Sequence, residues 1–339
     1  MKNITDKILL AHGSGGRLTH ELIEQLFRSG FSNKVLDSLD DAAEIKLPGG
    51  ARLAFTTDSF VVDPLFFPGG DIGKLAVCGT VNDLAMKGAK PVAISVAAII
   101  EEGFEIDKLK IITGSIQKAA KEAGVFVATG DTKVVPRGKA DKLFLTTSGV
   151  GIIDKKAGGI SGSNAKPGQT VIISGTLGDH GLAVLLSRNE FRLRAKIRSD
   201  CAPLNGLVAD MASKCRGISV LRDPTRGGLA TTLNEIAQSS GVGIIIEENQ
   251  IPVGREVRSA CSILGFDPLY IANEGKLAAF CPAGEATGLV QTMRKQKYGK
   301  NAAVIGKVVR SPKGVWLNTV SGGLRPLAML EGEQLPRIC

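Results

Sequence analysis

The chain is expected to fold as two α+β domains, and three features predict it. Segments with strand-like and helix-like apolar spacing interleave along the sequence, without the strict alternation that a doubly wound parallel sheet requires. At 339 residues the chain exceeds what one hydrophobic core usually serves. A stretch rich in Gly, Ser and Lys at 154–168 (DKKAGGISGSNAKPG) separates two runs of such segments. The expected boundaries are therefore a first domain over 1–155, a second over 165–329 and a tail over 330–339.

In the first half, 52–62 (RLAFTTDSFVV) reads as a strand, 71–88 as a helix and 91–100 as a buried strand. A helix over 107–124 runs to Gly124 near its C-terminus, and 143–153 is another strand. The second half restarts with a strand at 170–174, followed by helices near 179–188 and 203–214. A strand, turn and helix span 221–240, then come a strand at 243–248 and a helix near 254–264. Later strands fall near 277–281, 303–309 and 315–318, with a helix at 285–297. No short-period repeat is present.

Composition excludes several classes. An apolar fraction of 43% with 42 Gly and 14 Pro is globular rather than disordered. The longest apolar run, 92–100 with one serine in it, is too short to span a bilayer, and the start MKNITD has no apolar signal region. A cytosolic protein without a membrane partner is expected. The six cysteines form no C-x-x-C pair, and His12, His20 and His180 are not grouped with them at zinc-ligand spacing, so free thiols are expected. Net charge is +9, yet aromatics are only 4%, which leaves few stacking platforms for nucleic acid. The densest basic stretch, 188–198, places Arg192, Arg194, Lys196 and Arg198 two apart, as one solvated face of a strand or ribbon. The positive field favours anionic small molecules or an acidic partner protein, and no nucleic acid is expected.

No P-loop is present, and no G-x-G-x-x-G follows a strand. The loop His12-Gly13-Ser14-Gly15-Gly16 precedes a helix beginning near Leu18, where glycine amides and the helix dipole can meet an anion. Acidic residues recur in turn-like or apolar settings: Asp40-Asp41-Ala42-Ala43, Thr57-Asp58-Ser59, Asn82-Asp83, Gly130-Asp131-Thr132-Lys133 and the run 221–228 (LRDPTRGG). Each Asp taken singly reads as a cap or turn residue. A carboxylate among apolar residues needs a cation, and five such elements together point to Mg²⁺ and a nucleotide. The chain ends Leu335-Pro336-Arg337-Ile338-Cys339. Pro336 withholds an amide donor and disfavours helix at Leu335, so an extended, mobile arm carrying a terminal thiol is expected.

The strings HGSGG, DDAA, TTDSFVVDPLFFPGGDIGKLAVCGTVNDLAMKGAKP, GDTKVV, SGTLGDHG, LRDPTRGGLA, ANEG and LPRIC resemble the HypE family of hydrogenase maturation proteins. The likeness runs from residue 12 to residue 339; the 56–91 block and the terminal PRIC are its specific parts. That family sits in an ATP-using superfamily with aminoimidazole ribonucleotide synthetase, selenophosphate synthetase and thiamine-monophosphate kinase. The resemblance implies a two-domain, aminoimidazole-ribonucleotide-synthetase-like (PurM-like) α+β fold. It also implies a homodimer formed through the N-terminal β-sheet, with ATP and Mg²⁺ held between domains and subunits.

The implied reaction is ATP-dependent dehydration of a carbamoyl group carried on Cys339 to an S-cyanide. HypF would load the thiol, and the HypC–HypD complex would accept the cyanide for the iron of a [NiFe]-hydrogenase. By the same resemblance Asp41, Asp58, Asp83 and Asp223 are assigned to metal, with Asp40 and Asp131 as further candidates. His12, Gly13, Gly15, Gly16, Asn82, Gly130, Asp131, Thr132 and Arg226 are assigned to nucleotide. Lys133 is the candidate for stabilising transferred charge and Glu274 for the base. The plain alternatives are a solvent-facing strand residue for Lys133 and a turn residue for Glu274. Rival readings are another enzyme of the superfamily, or a non-catalytic carrier that presents Cys339 to partners. A selenophosphate synthetase would carry a reactive Cys and a Lys near the glycine loop, where this chain has His12 and Ser14.

Overall fold

The computed structural model describes residues 7–154, 159–188, 193, 195–332, 335 and 337–339. An N-terminal helical segment comprises α1 (Arg17–Leu22), a π-helical stretch (Ile23–Arg28) and α2 (Ser29–Phe31). The first sheet uses β1 (Ala43–Lys46), β2 (Arg52–Phe60), β5 (Ala89–Glu101), β6 (Phe126–Val135) and β7 (Leu143–Ile153), in the order β1-β2-β7-β5-β6. A small hairpin of β3 (Phe66–Phe67) and β4 (Gly70–Asp71) leads into α3 (Ile72–Met86), and α4 (Ile106–Ala123) links β5 to β6. Among the described strands of this sheet only β5 and β6 pair in parallel, as a helical crossover requires. Gly124 closes α4 in the left-handed region at φ 71.

Helix α3 is the pivot of the molecule. Asp71 caps it by accepting from Gly73 N at 2.8 Å and Lys74 N at 3.0 Å. Every residue of α3 is buried except Lys74 and Asp83. A helix apolar on all sides belongs inside a core, so its two polar exceptions mark places where that core opens. Its residues Leu75 to Val81 pack with α4 and the sheet, while Ala85 and Met86 join the core of the second domain.

The second sheet is built from β8 (Gln169–Ile173), β9 (Val220–Arg222), β10 (Gly243–Glu247), β11 (Ala278–Pro282), β12 (Ala303–Val309), β13 (Gly314–Asn318) and β14 (Leu324–Pro326). Its order is β14-β13-β10-β12-β8-β11-β9. Helix α7 (Gly228–Ser240) covers one face through Leu229, Leu233 and Ile236. Helices α6 (Asn205–Lys214) and α9 (Ala283–Lys295) cover the other through Leu207, Met211, Leu289 and Met293. Helices α5 (Asp179–Ser187) and α8 (Arg255–Leu264) form a side layer with its own core of Leu182, Leu185, Val257 and Ile271.

One expectation needs correction. Gly130-Asp131-Thr132-Lys133 is not a turn but the middle of β6, because pairing with β5 carries the strand straight through these polar residues. In the basic stretch, Arg192 and Arg194 lie outside the described residues. Lys196 and Arg198 lie in an irregular connecting segment, exposed on either side of buried Ile197, as a solvated ribbon would place them. All six cysteines are free, five of them buried. No helix among the described residues is long and apolar enough to cross a membrane.

Candidate active site

Where α3 meets the second domain, carboxylates from five separate segments converge. Asp58 shares with Ala54, Thr56 and Phe60 the face of β2 turned toward α3. Gly79 lets that strand approach, since a Cβ there would lie 2.9 Å from Phe60 Cζ and 3.5 Å from Asp58 Oδ2. Asp83 projects from α3, and its Oδ2 accepts from Thr56 Oγ1 at 2.8 Å; the same hydroxyl lies 2.9 Å from the Asp41 carbonyl oxygen. Asp223 follows β9, and Glu274 precedes β11; both are buried.

The electrostatics show how close these groups are. Burial pushes the Asp83 carboxyl well up, and Asp223, Asp58 and Asp41 push it further. Burial likewise raises Asp58. Asp223 rises to about 6 through burial, with Asp58 and Glu235 adding to the shift. Asp41 is pushed well up by burial, against the pull of Arg222, and its Oδ2 is buried without a hydrogen-bond partner. Glu274 is raised well above the usual range by burial, then by Cys201, Asp223 and Asp58. Among the described residues no group of three or more His, Cys, Asp or Glu side chains is placed close enough to hold a metal ion. In chemistry, though not yet in spacing, the donors suit a hard divalent cation. They are all carboxylate oxygens, one is orphaned, and mutual repulsion is what such a charge would relieve.

The end of the chain lies on this cluster. Val61 N donates to Cys339 O at 3.1 Å and Asp63 N to Arg337 O at 3.1 Å, so the last residues run beside the segment that follows β2. Arg337 Nε donates to Val61 O at 2.9 Å, and its Nη1 reaches Asp141. Arg337 therefore docks the arm on the first domain rather than among phosphates. Buried His180 is held neutral by desolvation, so its Nε2–H is assigned as donor to Ile338 O at 2.9 Å while Nδ1 accepts from Ser199 Oγ at 2.8 Å. The Cys339 thiol borders a cavity of about 180 Å³ with Ser59, Arg226, Ala272, Gly13 and Ser14. Burial lifts its pKa to about 12, against the pull of Arg226, with Glu274 and Asp58 adding to the rise. The seat thus suits a neutral sulfur rather than a thiolate.

The structure sorts the sequence candidates. Asp41, Asp58, Asp83, Asp223, Arg226, Glu274 and Cys339 come together, with the glycine loop as one wall. A Cβ on Gly15 would lie 2.7 Å from Arg226 Cβ, and one on Gly16 would lie 2.3 Å from Leu330 O. His12 is buried and folds back on its own turn, its Nδ1 accepting from Leu9 N at 2.9 Å.

Asn82 is not placed to touch a nucleotide. Its buried carboxamide donates to Ala202 O at 3.1 Å and Glu274 O at 3.4 Å and accepts from Leu204 N at 2.8 Å, which makes it a strut. Asp40 is likewise engaged, accepting from Lys87, Ser161 and the Gly162 amide. Gly130, Asp131, Thr132 and Lys133 stand apart. By pairing register Gly130 lies in the row of Asp58 but three strands across, whereas Lys133 shares a row with Ile99 and Phe144 on the opposite face. Lys133 is 69% exposed and pairs with Asp131 at 2.8 Å.

Sequence reasoning missed the groups that hold the cluster. Arg222 Nε lies 2.9 Å from Asp41 Oδ1, and Arg222 Nη2 donates to Glu235 at 2.6 Å. Glu235 in turn meets His20 Nε2 at 3.0 Å and holds that imidazole's pKa above its ordinary value. Arg222 stands in the LRDPTRGG run, but nothing local in the sequence signals its partners.

Comparisons with known proteins place this geometry. Residues 39–153 match the family described as AIR synthase related protein, N-terminal domain, and residues 166–316 match its C-terminal domain. The carbamoyl dehydratase HypE of Cupriavidus necator is 50% identical over 334 residues, covering 98% of this chain and 95% of that protein. The crystal structure of a HypE–HypF complex superposes with a TM-score of 0.87 at 50% identity, covering 91% of this chain and 99% of the other. That of HypE in complex with ATP gives 0.82 at 49% identity, covering 98% and 100%. With both halves matched and half of all residues identical along nearly its whole length, the chain belongs to the HypE family of AIR synthase related proteins.

Proposed function

We propose that the protein is an ATP-dependent carbamoyl dehydratase acting on its own C-terminus, converting an S-carbamoyl group on Cys339 to an S-cyanide. One observation carries the reading: Cys339 shares a small cavity with Arg226, close enough to Glu274 and Asp58 for their charges to act on its thiol. The relative named carbamoyl dehydratase and the solved relative that holds ATP support it.

The chemistry explains the parts. A thiocarbamate keeps its oxygen, because hydroxide leaves poorly. Transfer of the γ-phosphoryl group of ATP to that oxygen makes phosphate the leaving group and releases ADP. Loss of the two N–H protons and of phosphate then leaves –S–C≡N. Asp41, Asp58, Asp83 and Asp223 would hold Mg²⁺, which when bound neutralises phosphate oxygens. Arg226 stabilises charge on the transferred group. Glu274 takes a proton from nitrogen; for this its carboxyl must ionise, and nearby cationic charge lowers its pKa toward that state.

The neutral seat of Cys339 assigns loading to another position of the tail. A thiol with a pKa near 12 is a poor nucleophile, so the arm leaves the cluster to be carbamoylated by HypF and returns loaded. HypC–HypD then takes the cyanide from the exposed arm. In a homodimer the partner sheet would cover the open face of the first sheet, where Phe55, Ile99 and Ile152 are exposed. Asp131 and Lys133 lie on that face, so the nucleotide contact of Asp131 and the charge-stabilising role of Lys133 belong to the assembled dimer.

The test is intact-mass analysis of wild type and Cys339→Ala after incubation with HypF, carbamoyl phosphate and ATP. The wild type should gain an adduct on its last peptide and the variant none. An adduct on an internal cysteine would overturn the assignment.

A further inference from the structure

Lys74, the second polar exception on α3, opens into a different cavity of about 410 Å³ at the junction of the two domains. Five cationic side chains line it, Lys74, Arg198, Lys276, Lys297 and Lys300, against the single carboxylate of Asp200. The wall carries no aliphatic side chain, and Tyr298 is the one ring among the lining residues. A nucleobase finds little apolar surface in such a cavity, whereas a small multivalent oxyanion finds several ammonium groups.

The floor is built rather than incidental. Asp200, with a side chain only 3% exposed, pairs with Lys276 at 3.0 Å and accepts from Glu274 N at 3.1 Å. Burial works against its charge, yet Lys276 and the hydrogen bond from Glu274 N hold its carboxyl below the usual range. Gly175 leaves room for the lysine, since a Cβ there would lie 2.8 Å from Lys276 Cε. Lys74 Nζ donates to Gly69 O at 3.0 Å and keeps further protons for a ligand. Lys297 is engaged by Glu122 at 3.0 Å. Arg198 and Lys300 are exposed, and among the described residues neither has an ion-pair partner.

We infer that this cavity is a second anion site, which binds inorganic phosphate. Its inner wall is Gly275–Lys276, continuous with Glu274, so it backs directly onto the cluster that holds the tail. The dehydration proposed above releases one phosphate per turnover, and this cavity would receive it. That role rests on the proposed reaction. Binding itself rests only on the cations and is tested without ATP or a loaded tail.

The experiment is equilibrium dialysis of the full chain against radiolabelled phosphate, over a range up to about 10 mM, where a Kd of about 1 mM leaves roughly nine sites in ten occupied. Wild type should bind one phosphate per chain. The pair Arg198→Glu/Lys300→Glu should weaken binding at least about tenfold, because it replaces two attractions by repulsions. Both positions are on the surface, and the milder pair Arg198→Gln/Lys300→Gln should still weaken binding about threefold. Saturating ADP should leave phosphate bound. No saturable binding by wild type would overturn the inference, as would equal affinity in both variant pairs. Stoichiometric displacement by ADP would assign the bound phosphate to the nucleotide's own seat and overturn it too.

Discussion

Asp223→Asn isolates the idea that the carboxylate cluster stores repulsion until a cation binds. The Asp223 carboxyl is raised from 3.8 to about 6, chiefly by burial. It therefore holds its proton more tightly folded than unfolded. Its contribution to stability is fully present below the unfolded value and is lost as pH rises through about 6. A shift of this size corresponds to on the order of 3 kcal/mol above pH 6. Asp41, Asp58, Asp83 and Glu274 shift in the same direction and reinforce the trend. Asn cannot ionise, so in chelator at pH 7.5 the variant should gain about 1–3 kcal/mol, or several degrees in Tm at about 2–4 °C per kcal/mol. Near pH 4 the two proteins should melt alike. Added Mg²⁺ should raise the Tm of wild type more than that of the variant. Thermal unfolding at both pH values, with and without Mg²⁺, reads all of this. A variant that loses stability in chelator at pH 7.5 would refute the reasoning.

Asn82→Ala leaves Leu204 N and two carbonyls unmatched in the interior and should cost about 2–4 kcal/mol in chemical denaturation. An unchanged midpoint with weakened ATP binding would return Asn82 to the nucleotide. Arg337→Ala removes the contacts with Val61 and Asp141 that seat the arm, so alkylation of Cys339 at pH 8 should accelerate about three- to tenfold as the thiol spends more time outside. An unchanged alkylation rate would show that Arg337 does not hold the tail. Gly16→Ala places a Cβ within 2.3 Å of Leu330 O, so the tail root must shift. Protease cleavage within 330–339 should become faster than in wild type; equal rates would show that the loop yields instead.

The regular elements were legible because their apolar spacing is strong. The 143–153 strand and the helix ending at Gly124 lie where the pattern puts them. Strand β6 was hidden because its central residues are polar and its side chains face open space, so no burial pattern marks it. In the site, acidic residues set among apolar ones were readable one by one, since an interior carboxylate always asks for a reason. Their supports were not. The Arg222–Glu235–His20 chain and the seat of Ile338 on His180 join segments remote in sequence, and only folding brings them into contact. Asn82 shows the same limit, because a polar residue beside Asp83 reads as a ligand, while the hydrogen bonds of its carboxamide to remote segments are visible only in the fold.

The most direct test of the account is a single turnover of S-carbamoylated protein with Mg·ATP, followed by mass analysis of the C-terminal peptide and assay of ADP. The account predicts that the peptide bearing Cys339 loses the mass of one water while one ADP forms per chain. A peptide of unchanged mass with nucleotide merely bound would contradict it, leaving the terminal thiol a carrier rather than the seat of the chemistry.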